Sequence, residues 1–311
     1  MSILQWLSVP LREGAPVLRW HVLAAAAAAL LLTAPPLLAL LAVRRKRKRR
    51  ARAMVTLRPH APPPVPGILT VGNLQGLGKR ETQQDAFAVS SLERMGEQGL
   101  FALVCDGMGG MEDGGEIARK VTEYLRQGFS FDPSAPEALD TLIRTLLEAA
   151  NREVYAEHFR RGGTTVVAVH IWQDAFRFWS VGDSDIFLYR KGRLYAVNLR
   201  QEYQNDLMLE AVRGKMDPED AMQNPQASAL SAFIGDNSLR MDASRQPIPL
   251  EPGDKLLLCS DGISDTLHQG QMEAALAYAP PSACDRLEEA ILAAAKSGQD
   301  NYTAVIIGYS G

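Results

Sequence analysis

The chain has 311 residues, with 33 lysines and arginines against 36 aspartates and glutamates, and a net charge of −3. Residues 1–58 hold eleven basic residues and a single acid, Glu13, which gives that part +10 and leaves −13 for residues 59–311. So acidic a C-terminal part argues against a nucleic-acid-binding protein, and three cysteines without paired spacing argue against a disulfide framework or a zinc site.

An apolar run without any charge occupies residues 22–43. A helix of this length spans roughly 33 Å, which is enough to cross the hydrocarbon core of a bilayer. Basic residues at 44–50 follow it, and such a flank stays in the cytoplasm. The pattern predicts a short extracytoplasmic N-terminus at 1–21, a single transmembrane helix at 22–43 and a cytoplasmic (inner) membrane protein whose remainder faces the cytoplasm.

Two features complicate this anchor. Pro35 and Pro36 should kink or break the span near Thr33, and a buried hairpin or a disordered leader is the alternative. The basic run could also be a nuclear-localisation or nucleic-acid patch, but its position against an apolar span favours contact with anionic membrane lipid. Residues 44–67 then form a basic juxtamembrane and proline-rich linker, which ends in HAPPPVPG at 60–67.

A globular domain is predicted for residues 68–311. Short apolar runs predict strands at 68–73, 86–90, 100–105, 164–171, 176–181, 186–190, 255–260 and 303–309. Lys191-Gly192 predicts a hairpin turn from 186–190 into a further strand at 193–197.

Apolar residues at three- and four-residue spacing predict helices at 116–127, 136–160 and 282–297. In the second of these, Ser134 is a candidate cap and Pro136 a candidate first-turn residue. Because strands come in runs with long helices between them, the expected class is α+β, with antiparallel sheets and helices packed outside them.

Acidic residues mark the ends of several predicted strands. Asp106-Gly107, Gly182-Asp183 and Asp261-Gly262 each follow an apolar strand, and Asp300-Asn301 precedes the last one. A buried strand fixes its terminal residue, and glycine lets the backbone approach what the carboxylate holds. Several carboxylates without matching cations indicate a hard divalent metal and metal-assisted chemistry on an oxygen-rich substrate.

Six short motifs occur in an order that is typical of one family. They are RETQQD at 80–85, DGMGG at 106–110, GTT at 163–165, GDS at 182–184, SDG at 260–262 and DNYT at 300–303. The chain resembles the bacterial branch of the metal-dependent serine/threonine protein phosphatases (PPM, type 2C) over about residues 68–311. The resemblance implies an αββα sandwich of two antiparallel sheets flanked by helix pairs.

The resemblance also implies a metal centre with Mg²⁺ or Mn²⁺. Asp106 would bridge two ions, and the Gly107 carbonyl would bind the second of them. A hydroxide shared by the ions would attack phosphoserine or phosphothreonine. Asp261 and Asp300 would complete the coordination of the first ion. Among the remaining motif residues, Asp85 would touch a metal or orient its waters, Asp183 would hold a third, weaker ion, and Arg80 would bind the substrate phosphate.

Several positions depart from the family pattern. Asp185 stands where many members have an arginine, and it should either lack a structural ion pair or add charge near the third metal. Gln84 replaces a glutamate that some members use on the second ion, and Met108 stands where other members have a histidine. Residues 198–237 resemble the family's flap over the site, ending in a helix-to-turn segment at 229–236.

The expected function is dephosphorylation of a phosphoprotein, opposing a serine/threonine kinase at the membrane. The alternative is a catalytically weak or silent phosphatase-like module that binds phosphoproteins or a partner, and the three departures motivate it. No nucleic-acid partner is expected.

Overall fold

The computed structural model describes residues 8–10, 16–18, 68–109 and 113–311. The chain divides into two units, Met1–Pro63 and Pro64–Gly311. In the first, β1 (Ser8–Pro10) pairs antiparallel with β2 (Pro16–Leu18). The predicted span at 22–43 and the linker at 44–67 lie outside the described residues. Of the helices that are described, none is both long enough and apolar enough to cross a bilayer.

The strands of the second unit form two antiparallel sheets. They are β3 (Leu69–Gly76), β4 (Asp85–Val89), β5 (Leu100–Gly109), β6 (Gly162–Thr164), β7 (Val166–Trp172), β8 (Ala175–Val181), β9 (Asp185–Arg190), β10 (Arg193–Ala196), β11 (Asp242–Ala243), β12 (Ile248–Pro249), β13 (Lys255–Cys259) and β14 (Tyr302–Tyr309). The first sheet has the order β10-β9-β13-β14-β3. The second has the order β11-β8-β7-β5-β4, with β12 also on β8 and β6 on the end of β5.

Eight helices lie in the described part of the chain, besides a 3₁₀ turn at Leu92–Arg94. They are α1 (Met95–Gln98), α2 (Asp113–Gly128), α3 (Ala138–His158), α4 (Tyr203–Val212), α5 (Pro218–Met222), α6 (Asp261–Ser264), α7 (Gln269–Leu276) and α8 (Pro280–Ala294). The long pair α2 and α3 shares a core cluster with the second sheet, and α7 and α8 share one with the first.

Side-chain alternation along the central strands creates the four layers. In β5, Leu100, Ala102 and Val104 pack between the two sheets, whereas Phe101 and Leu103 face the helices α2 and α3. The same period of two in β13 sends alternate leucines to the inter-sheet core and to α7 and α8. Both faces of each central strand are therefore buried, and every fully buried leucine or phenylalanine contributes about 1.5–3 kcal/mol.

The sequence predictions of the main elements are confirmed, and their ends move by a few residues. All nine predicted strands form, although 164–171 divides into β6 and β7, and all three predicted helices form. Lys191 and Gly192 both have positive φ angles, 53° and 79°, as a tight hairpin turn requires. The predicted cap at Ser134 is wrong, because its hydroxyl and N–H both donate to Asp132 in the preceding turn. The short helices α1 and α4–α7 were not predicted.

His170 on β7 is a buried histidine that is held neutral. Its ring stacks at an angle against Phe129 and Phe131, and Nε2 lies 2.8 Å from the carbonyl oxygen of Gln98. A carbonyl only accepts, so Nε2 carries the proton. Burial and the positive charge of Arg177 lower the pKa of His170, and the hydrogen bond to Gln98 opposes them. The net result is a pKa of about 4.

Because His170 is buried in its neutral form, the unfolding free energy should fall as the pH falls. The pKa of the folded state, about 4, lies below the ordinary value of 6.5, so the unfolded chain takes up the proton first as the pH falls. We expect the native protein to lose about 3 kcal/mol more unfolding free energy between pH 7 and pH 4 than His170→Gln does. Urea unfolding of both proteins across that range measures the difference, and parallel pH curves would contradict it.

Candidate active site

Two aspartates face each other across neighbouring strands. Asp85 begins β4 and is paired with Asp106 of β5. The Gly107 N–H donates to the Gln84 carbonyl at 3.1 Å, so the Asp85–Asp106 pair is the adjacent, non-hydrogen-bonded kind, with Cβ atoms about 4.5–5.5 Å apart. Like charges directly opposite each other destabilise a sheet unless a cation lies between them.

Two threonines at the junction of β6 and β7 fix the backbone at Asp106. The Asp106 N–H donates to the Thr165 hydroxyl at 3.0 Å, and the Asp106 carbonyl accepts from the Thr165 N–H and from the Thr164 hydroxyl. The following residue must be glycine, because a Cβ on Gly107 would lie 2.1 Å from the carbonyl oxygen of Gly114 in α2. The GTT motif thus shapes the strand that carries Asp106.

The other two strand-end aspartates come from the first sheet. Asp261 is the first residue of α6, directly after β13, and Asp300 lies two residues before β14, which pairs with β13. Ser260 connects this sheet with β4, since its hydroxyl donates to the Asp85 carboxylate at 2.8 Å and accepts from the Thr303 N–H. The two sheets therefore bring their acidic ends together.

Arg80 lies in the loop between β3 and β4, and its Nη2 is 2.6 Å from Asp300 Oδ2. Two contacts hold that loop against the Asp300 segment. Gly78 has φ +61° and packs so closely that a Cβ would lie 2.2 Å from the Asp300 carbonyl oxygen. The Asn301 side chain accepts from the Gln84 N–H and donates to the Leu77 carbonyl. Asn301 is a positioning residue that sequence reasoning left without a role, although it belongs to the DNYT motif.

Asp183 lies in the turn between β8 and β9, beside a buried ion pair. Asp185 accepts three hydrogen bonds from the Arg200 guanidinium, at 3.0 Å, 3.2 Å and 2.7 Å, and a fourth from the Ser264 hydroxyl. Arg200 also donates to Asp265 at 2.9 Å. The prediction that Asp185 lacks an ion pair is wrong, because Arg200 supplies the cation from fifteen residues further along the chain.

Arg80 and four of the aspartates line a cavity of about 260 Å³. Its charged lining residues are Arg80, Asp106, Asp183, Asp261 and Asp300. Gln84, Gly107, Met108 and Leu230 also line it, so both uncharged substitutions in the motifs face the cavity. Asp85 does not line it and stays buried behind Asp106, where it accepts from Ser260.

The predicted flap reaches the cavity, but the structure of its last segment differs from the one expected. Leu230, which lines it, belongs to residues 198–237 and forms a β-bridge with Glu202. The predicted helix-to-turn at 229–236 is wrong, since that segment is irregular. Ile234 is fully buried there and exchanges two backbone hydrogen bonds with Thr164, so sheet-like pairing replaces the helix.

Burial and mutual repulsion perturb the carboxyl groups. Burial raises the pKa of Asp85 to about 6, hydrogen bonds from Ser260 and Thr303 oppose this, and the charges of Asp261 and Asp300 add to it. Burial also raises the pKa of Asp106 well above its usual range, and four neighbouring aspartates reinforce the shift.

The other two carboxyl groups show the same effect. Burial raises the pKa of Asp183 to about 7, the Asp261 charge adds to it, and Arg200 partly offsets it. Burial likewise raises the pKa of Asp261, as do Asp265 and Asp300. The cluster therefore holds more negative charge than its surroundings neutralise.

The donor set suits hard divalent cations. Asp106 and Asp261 line the same cavity and repel each other, and two such ionised carboxylates are stabilised by a proton or a cation shared between them. Arg80 is the one cation among the described residues that line the cavity. Within the described parts of the chain, no three His, Cys, Asp or Glu side chains already take up the arrangement that holds a metal ion.

Comparison with known proteins identifies the same region. The family model "Protein phosphatase 2C" matches residues 77–294. The chain is 27% identical to the serine/threonine phosphatase stp of Listeria monocytogenes over 218 residues, 67% of this chain and 83% of that protein. It is 30% identical to the serine/threonine protein phosphatase PstP of Mycobacterium tuberculosis over 215 residues, 67% of this chain and 40% of that protein.

Solved structures share the fold. The serine/threonine phosphatase of S. agalactiae superposes with a TM-score of 0.67 at 24% identity and covers 78% of this chain and 100% of that one. The catalytic domain of PstP in complex with two manganese ions superposes with a TM-score of 0.59 at 22% identity, covering 78% and 99%.

Because the aspartates repel one another, replacing Asp106 should stabilise the metal-free protein and should reduce the stabilisation that a bound metal provides. Because the folded-state pKa of Asp106 is raised, ionising it at neutral pH destabilises the metal-free fold. We expect Asp106→Asn to raise the melting temperature in chelator, by about 2–4 °C per kcal/mol recovered. Added Mn²⁺ should stabilise the native protein more than the variant. Thermal unfolding with Asp285→Asn, on the exposed side of α8, as control measures this, and a variant less stable in chelator would contradict it.

Proposed function

Because the chain belongs to the protein phosphatase 2C family and is a serine/threonine protein phosphatase, we propose that it hydrolyses phosphoserine and phosphothreonine on proteins with two divalent metal ions. One observation carries the proposal. Four aspartates from distant segments, together with Arg80, line a single cavity, and a fifth, Asp85, lies directly behind them.

The metal ions would be Mg²⁺ or Mn²⁺. Asp106 would hold both, Asp261 and Asp300 would complete the coordination of the first, the Gly107 carbonyl would bind the second, and Asp183 would hold a weaker third. Bound there, the ions would supply an activated water and offset the charge of the phosphate. The PstP catalytic domain, a structural neighbour, is known with two manganese ions, which supports this choice.

The chain's own residues would have separate tasks. Asp85 is buried, accepts from Ser260 and faces Asp106 across the strands, so it would orient Asp106 and the waters around it. Arg80 is about half exposed at the mouth of the cavity and would turn from Asp300 to a substrate phosphate, which its planar guanidinium suits. No side-chain acid replaces the histidine at Met108, so the proton for the leaving serine or threonine would come from water.

A catalytically silent module that binds phosphoproteins or a partner is the second candidate. Gln84 and Met108 favour it, because both face the cavity where the family has a glutamate and a histidine. The third motive, Asp185, is weaker than the sequence suggested, since Arg200 pairs with it. The full set of core aspartates makes hydrolysis the better supported of the two.

Substitution of Asp106 separates the candidates. We expect Asp106→Ala to lower Mn²⁺-dependent hydrolysis of p-nitrophenyl phosphate and of a phosphothreonine peptide by about 10³-fold or more, because both ions would lose a shared ligand. The control is Asp285→Ala, far from the motifs, which should keep native rates. Metal content is measured in parallel.

Three results would decide against hydrolysis at this site. They are undiminished turnover by Asp106→Ala, turnover that is indifferent to chelator, and native protein that holds two ions and a phosphopeptide without releasing phosphate. The last of these would establish the binding module instead.

We further propose that residues 22–43 anchor the enzyme in the cytoplasmic membrane as a single pass, with the phosphatase domain at 68–311 in the cytoplasm. The 22 uncharged residues and the basic residues after them support this orientation. The basic run would contact anionic lipid, and the domain would oppose a serine/threonine kinase at the same membrane.

The anchor has a direct test. We expect the full chain to stay with membranes through high salt and alkaline carbonate, because an apolar span is held by the hydrocarbon core rather than by charge. Deletion of residues 22–43 should release it, whereas deletion of 60–67 should not. Extraction of the full chain by salt alone would show that the basic run, and no span, holds it.

A further inference from the structure

The second sheet has an edge strand whose outer hydrogen-bonding groups are only partly covered. The Ser90 N–H donates to the Phe101 carbonyl and the Gly107 N–H to the Gln84 carbonyl, so even-numbered residues of β4 bond inward to β5. Odd-numbered residues therefore direct their N–H and C=O groups away from the sheet. In β4 these are Asp85, Phe87 and Val89.

Side chains cap one end of this edge and leave the other open. The Asp85 N–H donates to the Gln83 side chain at 2.8 Å, and the Asp85 carbonyl accepts from the Gln75 side chain at 3.2 Å. Among the described residues, the outward groups of Phe87 and Val89 have no such partner. Edge strands are usually blunted, so two adjacent open positions are a specific feature.

A groove lies along the open positions. It has a volume of about 730 Å³ and runs between β4, the edge strand β3 of the first sheet and helix α2. Its lining residues are Val71, Asn73, Ala86, Phe87, Ala88, Val89, Ser90, Leu92, Arg119, Thr122, Glu123 and Arg126. The alanines of β4 are short and leave room beneath α2. The Thr122 hydroxyl is buried there with no hydrogen-bond partner of ordinary geometry among the described residues, apart from the weak thiol of Cys105.

The charge of the groove is opposite to that of the rest of the domain. Arg119 lines it and Arg94 lines an adjoining cavity that shares Ser90 and Arg126 with it. Arg126 is paired with Glu123 at 2.6 Å, but Arg94 and Arg119 have no carboxylate partner in the described part of the chain. Residues 59–311 carry −13 overall, so two unpaired arginines along one open strand mark a site for negative charge.

We propose that this groove docks an extended, acidic segment of a partner protein, which pairs with Phe87 and Val89 as an added strand of the second sheet. Main-chain hydrogen bonds to the two open residues would supply the pairing, alternate side chains would enter the groove, and Arg94 and Arg119 would select acidic sequences. The surface lies apart from the residues that line the catalytic cavity and does not depend on hydrolysis.

Charge argues against the other two occupants. Residues 1–58 of the chain carry +10 and would be repelled by the two arginines. A second copy that paired β4 with β4 about a two-fold axis would bring Arg119 and Arg94 of the two copies to the same interface. The experiment below distinguishes residues 1–58 and a second copy of the chain from an acidic partner segment.

The probe is a fluorescein-labelled ten-residue peptide of alternating valine and glutamate, titrated into the full chain by anisotropy. We expect saturable binding, about ten-fold slower amide exchange at Phe87 and Val89 in the complex, and no change in oligomeric state. The same peptide N-methylated at alternate residues should bind at least about ten-fold more weakly, because one hydrogen-bonding edge is lost. A peptide with lysine in place of glutamate should not bind.

Matched charge reversals test the arginines. Arg94→Glu/Arg119→Glu should weaken peptide binding about ten-fold or more, and Arg152→Glu/Arg245→Glu, which changes the net charge equally at exposed positions away from β4, should leave it within about two-fold. Unprotected amides at Phe87 and Val89, equal binding of the N-methylated or lysine peptide, or protection already present in the free chain from dimerisation or from residues 1–58 would overturn the proposal.

Discussion

The site depends on electrostatic repulsion that the fold creates and the protein alone does not neutralise. Antiparallel pairing of β4 with β5 brings Asp85 and Asp106 face to face, and the end of the first sheet adds Asp261 and Asp300. Burial and mutual repulsion raise the pKa values of Asp85, Asp106 and Asp261, which is the energetic consequence of that arrangement. A fold of ordinary stability tolerates such a cluster only because it is embedded among three hydrophobic core clusters, and cation binding would then recover the lost free energy.

Neutral hydrogen bonds, rather than further charges, hold the cluster in place. Thr165 fixes the backbone of Asp106, Ser260 fixes the carboxylate of Asp85, and Asn301 joins the loops that carry Arg80 and Asp300. Hydroxyl and amide groups orient carboxylates without pairing their charge, so the negative potential needed to attract metal ions is retained. A lysine or arginine in these positions would satisfy the aspartates and leave little affinity for a divalent ion.

Local sequence order was sufficient for the main elements and for the identity of the acidic residues. Short apolar runs predicted β5, β8 and β13, and the adjacent aspartate and glycine after each of them marked the cavity before any packing was known. Long-range partners could not be read in this way. Nothing in the spacing linked Arg200 to Asp185, and the segment at 229–236 pairs with Thr164 because tertiary contacts outweigh its local preference. The open edge of β4 also depended on knowing which residues bond inward.

Charge balance explains how so acidic a domain could accept a phosphorylated protein. The five aspartates of the cluster carry five negative charges when ionised, and Arg80 supplies one positive charge beside them. Two divalent cations would add four, so the loaded site would be close to neutral, and an incoming phosphate would meet local positive charge at the ions and at Arg80 rather than the field of the whole domain. Arg94 and Arg119 are positive charges on an acidic surface, as Arg80 is a positive charge in an acidic cavity. In both places a few cations on a negative background would confine anion binding to one spot, and the acidic surroundings would disfavour attachment elsewhere.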